Sequence, residues 1–567
     1  MSLCSRLICV ALAGIALSSA SVAMGQPARG GGGPPGAQST PAAAELVSGA
    51  EDTRLADGAA RRDADAVRRL LAGKTKLDVN ALGRGGSTAL AEAIRYHDIT
   101  MVTALIKAGA DVNKPNRYGL SPLAVAAQDG ASELIDLLLT HGADANVADA
   151  AGEPVLLAAS REGTLASVKL LLDHGAKLEA KDAAFGQTAL MVAVRGNHLD
   201  LVDFLIKRGA DVNVRTRVGT PPKQHMPNEG GGSHGEGIIR AGTPPQGSRA
   251  AQPGGWTALL YAARDGRIEC AKLLLDAGAK IEQGDANDMT PLIMALLNNQ
   301  TATAQLLLDR GAAVNAHDYW GRAPLFAAID NRDRVVDAPN QKDNGADRAG
   351  ALRLAKVLLD KGADPNARVN EYPPDRKFIE SLGPLGWADI TGQTAFLHAA
   401  LSDDVDAMKL LLQYKADPNI TTHTGTTALA AAAGMNWVSN QTWTEPGRQL
   451  DAVKFLVELG QDVNAVNDMG MGPLHAAANR GSNDVIEYLV SKGARLDVKD
   501  KVGRTPLVWA GGVFLATNAP EPKPSTQTLI RTLMANAPQP ADPSSPGKRS
   551  AAASPVDTPV SRRGPGA

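Results

Sequence analysis

Cysteine and aromatic residues are scarce in this chain of 567 residues. Of its three cysteines, only Cys270 lies beyond the first 23 residues. Loss of that N-terminal stretch would therefore leave no pair of thiols to form an internal disulfide. Aromatic side chains make up only 4% of the sequence, whereas alanine and leucine are abundant. This composition suits thin layers of small and medium-sized side chains stacked in series.

An excess of charge of either sign is also missing. The 58 lysine and arginine residues nearly balance the 60 aspartate and glutamate residues, which gives a formal net charge of −2. Proteins that bind nucleic acid usually carry a marked basic excess, so we expect no nucleic-acid partner. Beyond the N-terminus no apolar run reaches the length of a membrane span, so we expect the mature chain not to insert into a membrane.

The N-terminus has the pattern of a secretory signal peptide. Arg6 precedes an apolar run from Leu7 to Leu17, and Ser21 and Ala23 provide the small residues of a cleavage site. We therefore predict a signal peptide over residues 1–23 and an exported chain, periplasmic in a Gram-negative bacterium or extracellular. The alternative is an uncleaved anchor, for which the apolar run is short compared with a span of ~20 residues.

One sequence pattern recurs at a fixed step. The distance is 33 residues from Thr88 to Ser121, and it is the same for three further pairs: Thr257 and Thr290, Thr394 and Thr427, and Gly472 and Thr505. Further units begin near Glu153, Thr188 and Ala323, and an atypical first unit begins near Thr53, for twelve units in all. A fixed period of this length indicates a repeat architecture.

Each unit predicts two helices joined by a turn. A Ser or Thr caps the first helix and is often followed by proline, as in Thr290-Pro291, because the first helical position needs no N–H. Paired alanines allow close packing, and a leucine triplet such as Leu273-Leu274-Leu275 marks the second helix. Glycine then ends the helix, and Ala-Asp-x-Asn suits the hairpin that follows. A single unit cannot bury its leucines, so stacking must stabilise the chain.

The Thr-Pro-Leu starts, the Gly-Ala-Asp-Val-Asn endings and the step of 33 residues resemble the ankyrin repeat over about residues 52–537. The resemblance implies an all-α repeat solenoid of stacked helix–turn–helix units with hairpin fingers. His398 and His475 are both assigned to the histidine position of the family's Thr-Pro-Leu-His motif, and the resemblance implies that they are structural histidines that support the turn through hydrogen bonds. Lys415 replaces the glycine that ends the second helix, and we predict a strained left-handed backbone there.

The chain divides into four parts: the signal peptide, a Gly/Pro/Ala-rich linker over 24–50, the repeats over 51–537 and a Pro/Ser-rich tail over 538–567 that we expect to be disordered. Four insertions interrupt the repeats, at 214–254, 333–350, 367–391 and 435–449. The first and third fall in hairpins, and the other two fall between the helices of one unit. We expect the two kinds to emerge at opposite edges.

No catalytic motif is present, and we predict neither enzymatic activity nor a cofactor. Four side chains in one insertion, His225, Glu229, His234 and Glu236, are metal ligands by type. A Gly/Pro-rich loop does not hold ligands at fixed geometry, so we assign no metal site to them. Cys270 lies in a slot that Leu201 fills elsewhere, and we expect a buried, unreactive thiol.

Aromatic residues concentrate near the fingertips and in the insertions. Exposed Trp and Tyr often anchor protein interfaces, which makes these positions partner-binding candidates. The alternative is that they pack their own loops onto the stack. The candidates are Tyr118, Phe185, Trp256, Tyr319, Trp320, Trp387, Trp437 and Trp443.

These features predict a protein–protein interaction scaffold, a monomer that binds a partner through the concave face and the fingertips. The resemblance supports this function by analogy, because a fold does not fix a function. The alternative is a small-molecule or metal-binding receptor that uses the insertions at 214–254 and 367–391, where Tyr372, Phe378 and Trp387 would line a pocket.

Overall fold

The computed structural model describes residues 52–73, 77–220, 253–332, 347–370, 391–435, 448–513 and 521–536. Within these ranges the chain forms 24 helices in twelve consecutive pairs, and its only β structure consists of three isolated bridges. The fold is therefore an all-α repeat solenoid, as predicted. Each pair of helices is called a unit below and is numbered from the N-terminus.

Odd-numbered helices are the first helices of their units, and even-numbered helices are the second. Units 1 to 6 contain α1 (Arg54–Ala60), α2 (Ala64–Ala72), α3 (Ala89–Arg95), α4 (Ile99–Lys107), α5 (Pro122–Gln128), α6 (Ser132–Thr140), α7 (Val155–Glu162), α8 (Leu165–Asp173), α9 (Ala189–Gly196), α10 (Leu199–Lys207), α11 (Ala258–Asp265) and α12 (Ile268–Asp276). Units 7 to 12 contain α13 (Pro291–Leu297), α14 (Thr301–Asp309), α15 (Pro324–Arg332), α16 (Arg348–Asp360), α17 (Ala395–Leu401), α18 (Val405–Gln413), α19 (Ala428–Ala432), α20 (Arg448–Glu458), α21 (Pro473–Arg480), α22 (Asn483–Ser491), α23 (Pro506–Ala510) and α24 (Pro524–Asn536).

Side-chain caps explain where the first helices begin. The hydroxyl group of the residue before the helix accepts a hydrogen bond from a backbone N–H of the first turn, which satisfies a donor that has no partner inside the helix. This bond is present at Thr88, Ser121, Thr188, Thr257, Thr290, Thr394 and Thr427. The predicted capping role is thus confirmed in seven units.

The core runs along the stack between the two rows of helices. First helices pack against first helices from α1 to α23, and each also packs against the second helix of its own unit. The paired alanines on the first helices, such as Ala262-Ala263, are fully buried. In each leucine triplet the middle residue is fully buried, as at Leu138, Leu171, Leu274, Leu307 and Leu411. Stacking therefore buries the apolar surface that one unit alone would expose to water.

Asparagines of the Ala-Asp-x-Asn segments join neighbouring units. The Asn113 side chain donates to the carbonyl of Gly142 at 3.0 Å and accepts from the N–H of Asp144 at 2.9 Å. Asn146 makes the same two bonds to Gly175 and Lys177 in the next unit. These residues fit the hairpin as predicted, and each also crosslinks its own unit to the following one.

Neighbouring hairpins are linked by backbone hydrogen bonds. The N–H of Arg117 donates to the carbonyl of Gly86 at 2.8 Å, and the N–H of Arg217 donates to the carbonyl of Phe185 at 2.8 Å. Similar bonds join later hairpins, including Tyr319 to Asn287 at 2.9 Å and Lys501 to Met469 at 2.8 Å. The hairpins are therefore positioned as a connected row.

The described residues on either side of each insertion show where the regular helices and hairpins stop. The N–H of Gly219 donates to the carbonyl of Pro253, and the N–H of Thr216 donates to the carbonyl of Trp256. These bonds pair the two strands of backbone that flank residues 221–252, as in a hairpin. The bridge between Arg368 and Thr394 does the same for residues 371–390. Helices α16 and α20 begin at Arg348 and Arg448, so the inter-helix insertions end there, before the predicted positions 350 and 449.

Several predictions fall outside the described residues. They are the signal peptide, the linker, the tail, most of each insertion, and the side chains of His225, Glu229, His234 and Glu236. None of the helices in the described ranges is long and apolar enough to cross a membrane.

Candidate partner-binding surface

Three positions of a unit come together on the first-helix side of the stack. They are the residue before the helix cap, the fourth residue after the cap and the seventh residue after it. In units 5 and 6 the caps are Thr188 and Thr257. The corresponding residues include Gln187, Trp256, Tyr261, Arg195 and Arg264. We call these five residues the aromatic–arginine cluster.

Stacked rings and guanidinium groups build this cluster. The rings of Trp256 and Tyr261 have centroids 5.0 Å apart. The Arg264 guanidinium lies 5.0 Å from the Trp256 ring and 5.3 Å from the Tyr261 ring. The Arg195 guanidinium, from the preceding unit, lies 5.4 Å from the centroid of the Tyr261 ring. Arginine over an aromatic face is stabilised by the ring quadrupole, so these contacts hold both cations in place.

Hydrogen bonds fix the orientation of the same side chains. Gln187 donates from Nε2 to the Tyr261 hydroxyl at 2.8 Å. Arg264 donates to Asp265 at 2.6 Å, and this hydrogen bond raises the pKa of Arg264 above its ordinary value. Tyr261 itself is buried, whereas Arg195 is exposed and Trp256 and Arg264 are half-buried. The cluster thus places the exposed Arg195 and the half-buried Trp256 and Arg264 around the buried ring of Tyr261.

Two fingertips expose large aromatic side chains. Tyr118 is 57% exposed and Phe185 is 65% exposed, the two largest fractions among the exposed large hydrophobic residues of the described chain. The Arg117 guanidinium lies 4.7 Å from the Tyr118 ring and donates to its hydroxyl. Both aromatics therefore have surface available for a partner.

Trp320 does not fit the prediction that it is an exposed anchor for a partner, because it is only 2% exposed. Its ring lies 5.3 Å from the Arg322 guanidinium and 5.8 Å from the edge-on ring of half-buried Tyr319. Arg322 is held in turn by buried Asp318 at 2.7 Å. At this fingertip the alternative interpretation is correct, since the indole packs onto its own unit.

Three further candidates, Trp387, Trp437 and Trp443, lie outside the described residues. Sequence reasoning missed Tyr261, the central residue of the cluster. Its register holds Val125, Val192 or Met294 in some units but Glu92, His398 or Trp509 in others, so the residue type at this position gave no consistent signal.

The two histidines have different roles. His475 accepts from the N–H of Gly472 at 3.1 Å and pairs with the Arg504 carbonyl at 3.2 Å, which confirms its structural role. Burial lowers the pKa of His475. His398 lies one position later, four residues after its cap Thr394, and its Nε2 lies 3.2 Å from Asp330 of the preceding unit. Its assignment to the same position as His475 is therefore wrong.

Cys270 is buried as predicted, and burial raises its pKa to about 11, which keeps the thiol protonated and unreactive. No group of three or more His, Cys, Asp or Glu residues in the described ranges is placed to hold a metal ion.

A groove of about 410 Å³ separates α18 from α20. Three acidic and three basic side chains surround Val405 and Phe455 in its lining, so the groove favours neither an anionic nor a cationic ligand. The charged residues are Asp406, Lys409, Arg448, Asp451, Lys454 and Glu458.

Comparison with models of known protein families shows which family this helical repeat belongs to. A model of ankyrin repeats in three copies matches residues 55–149, 123–216, 245–318 and 444–512, more than half of the chain. A single-repeat ankyrin model matches residues 391–420. The chain belongs to the ankyrin repeat family. Ankyrin repeats mediate protein binding, and members of the family are typically interaction modules without enzymatic activity.

Individual relatives share only stretches of repeats with this ankyrin chain. It is 32% identical over 168 residues to mouse neurogenic locus notch homolog protein 1, which covers 29% of this chain and 6% of that protein. It is 48% identical over 52 residues to myotrophin of Xenopus tropicalis, covering 9% of this chain and 44% of the relative. A putative ankyrin repeat protein of Acanthamoeba polyphaga mimivirus is 40% identical over 62 residues, 11% of this chain and 8% of the relative. The chain thus spans less than half the length of each of these relatives.

Proposed function

We propose that this chain is an exported, non-enzymatic scaffold that binds a protein partner through the first-helix and hairpin surface of its ankyrin units. The observation that carries the proposal is the aromatic–arginine cluster of units 5 and 6, flanked by the exposed fingertip residue Phe185. Tyr118 extends the same hairpin row towards the N-terminus. Membership of the ankyrin family supports protein binding as the general role.

The chemistry of the cluster fits a protein interface. Trp, Tyr and Arg are the residue types that most often dominate binding energy, because they combine large buried area with directed polar groups. Trp256 and Arg264 are already ordered by their mutual contacts, at 5.0 Å between guanidinium and ring, so little side-chain freedom is lost on binding. Loss of such an anchor typically weakens binding by about 2 kcal/mol or more, roughly 30-fold.

Comparative capture with the mature chain tests the proposal. Wild-type protein and the Trp256→Ala and Phe185→Ala variants are used to isolate partners from the native compartment, and the affinity of each recovered partner is then measured. We expect Trp256→Ala to weaken binding at least tenfold. Lys272→Ala is the matched control, since Lys272 is 41% exposed on the second helix α12. Equal binding by all four proteins would refute the assignment of the surface.

Export is supported by the pattern of Arg6, the apolar run and the small residues at Ser21 and Ala23. We expect the isolated mature protein to begin at residue 24 and to be found outside the cytoplasm. Intact-mass measurement of the protein from each cell fraction tests this. A full-length chain in the cytoplasm would contradict it.

A further inference from the structure

Units 9 and 11 touch directly, although unit 10 lies between them in the sequence. Helix α19 of unit 10 has only five residues and ends at Ala432. Beyond it, Gly434 has a φ of 116°, and a Cβ atom there would lie 3.0 Å from Cδ of Arg480. Because Gly434 has no Cβ atom, the Arg480 side chain of unit 11 has room to lie against it. From there Arg480 Nη1 donates to Asp403 of unit 9 at 3.4 Å.

Asp403 occupies an unfavourable place for a charged carboxylate. It lies in the turn between α17 and α18 with a φ of 58°, and its side chain is completely buried. Oδ2 faces Arg480, whereas Oδ1 is buried without a hydrogen-bond partner. A buried oxygen without a donor is costly, and the cost is greatest when the group is ionised.

The nearby arginines Arg332 and Arg448 pair with the other two carboxylates of this segment, those of Asp404 and Asp406. Asp404 caps α18 and pairs with Arg332 of unit 8, whose Nη2 lies 3.1 Å from Oδ1. Asp406 lies 3.8 Å from both Arg332 and Arg448. Burial lowers the pKa of Arg480, and the charges of Asp403 and, to a smaller extent, of Asp484 on α22 oppose this effect. Arg480 is therefore the cation that faces Asp403 directly.

We propose that Asp403 and Arg480 form a proton-controlled latch between units 9 and 11, closed while the Asp403 carboxyl carries a proton and loosened when that proton is lost. A neutral carboxyl tolerates burial and packs the turn against unit 11. An ionised carboxylate has a buried oxygen without a donor and one long contact to Arg480, so hydration by water competes with packing.

The direction of the pH dependence follows from linkage. Burial raises the pKa of Asp403 from 3.8 to about 7, and the Arg480 charge opposes this effect only in part. The folded chain therefore holds this proton more tightly than the unfolded chain does. Stability from Asp403 is present at low pH and is lost as the pH rises from about 4 to about 7, and it changes no further above that pH.

The test compares full-length wild type with Asp403→Asn between pH 5 and pH 8.5. Asn has the same shape, tolerates a positive φ and does not titrate. We expect the melting temperature of the wild type, relative to the variant, to fall between pH 5 and pH 7.5 and then level off. Asp417→Asn, which removes an exposed hairpin carboxylate, is the control and should run parallel to the wild type.

Hydrogen exchange locates the effect and separates it from a general loss of stability. Protection factors of residues 400–410 and 474–482 should fall in the wild type as the pH rises and remain constant in Asp403→Asn. In Arg480→Gln the inflection should move to higher pH, because the cation that favours ionisation is gone. If Asp403→Asn does not fold, Asp403→Gly suits the same backbone and replaces it. Parallel pH profiles, or protection that rises with pH, would overturn the latch.

Discussion

Nine second helices end at a glycine with a positive φ, between 87° and 91°: Gly109, Gly142, Gly175, Gly209, Gly278, Gly311, Gly362, Gly460 and Gly493. A Cβ atom added at any of them would meet nothing within 4 Å. Backbone conformation, and not crowding, therefore requires glycine at this position. In unit 9 the residue is Lys415, with a φ of 67°, which confirms the predicted left-handed backbone.

Lys415→Gly should stabilise the protein. The substitution removes the strain of a side chain in the left-handed region, on the order of 1 kcal/mol. Thermal unfolding followed by circular dichroism measures the effect, and we expect a higher melting temperature. The reverse change Gly311→Lys is the matched control and should lower it. A lower melting temperature for Lys415→Gly would contradict this account.

Residue types were predictable from the sequence where local geometry demands them. The helix caps and the helix-ending glycines follow from backbone groups that need a partner or from a conformation that excludes Cβ. The role of His398 was not predictable in this way, because a shift of one position relative to His475 moves the side chain to another face of the helix. That shift takes His398 away from its own cap and towards Asp330.

At the scale of elements, neighbouring units are held together by polar ladders as well as by the apolar core. Asparagines of the Ala-Asp-x-Asn segments give several of these links two hydrogen bonds, as Asn113 does with Gly142 and Asp144. Glu179 and Glu282 stand at the same position in two other units and accept one bond each from the following unit. Unit 9 departs from this pattern: there Gln461 of the following unit reaches back and donates to the Pro418 carbonyl at 2.6 Å.

Asn113→Ala should lower stability by about 1–2 kcal/mol, because two hydrogen bonds between units are lost and each contributes roughly 1 kcal/mol. Asn419→Ala is the matched control. Asn419 occupies the same register, but its side chain makes no hydrogen bond to a neighbouring unit within the described part of the chain. Denaturant unfolding of both variants measures the difference. Equal losses would show that the ladder does not stabilise the stack.

The leucine triplets show what element-level prediction achieves. Their sequence indicated a buried ridge on the second helix, and the middle residue of each triplet is fully buried, as at Leu274. The flanking residues Leu273 and Leu275 are only partly buried. Three consecutive residues of a helix span 200° and cannot all face the same neighbour, so the triplet alone does not say which leucine lies deepest.

For the whole molecule, the all-α repeat solenoid followed from the sequence, because the period of 33 residues reflects one repeated packing arrangement. The ankyrin family models leave residues 319–390 without a match, yet α15 and α16 continue the stack there. Insertions lengthen the loops of this unit while its buried positions keep their pattern, and a longer surface loop costs little free energy.

The binding surface was less predictable than the stack. Phe185 and Trp320 occupy similar fingertip positions, but the first is exposed and the second is buried. Exposure depends on which side chains lie around the ring, such as Arg322 beside Trp320, and the position of an aromatic residue in the repeat does not show this. Binding of a partner at the aromatic–arginine cluster is therefore the claim that most needs a direct experiment.

Site-specific photo-crosslinking in the native compartment tests that claim most directly. A photoreactive residue is placed at position 195, which is exposed beside Tyr261, and in a second chain at position 272 on α12. We expect a discrete protein adduct from position 195 that is absent from position 272 and is lost when Trp256→Ala is added. Adducts from position 272 alone, or from both positions without effect of Trp256→Ala, would contradict it.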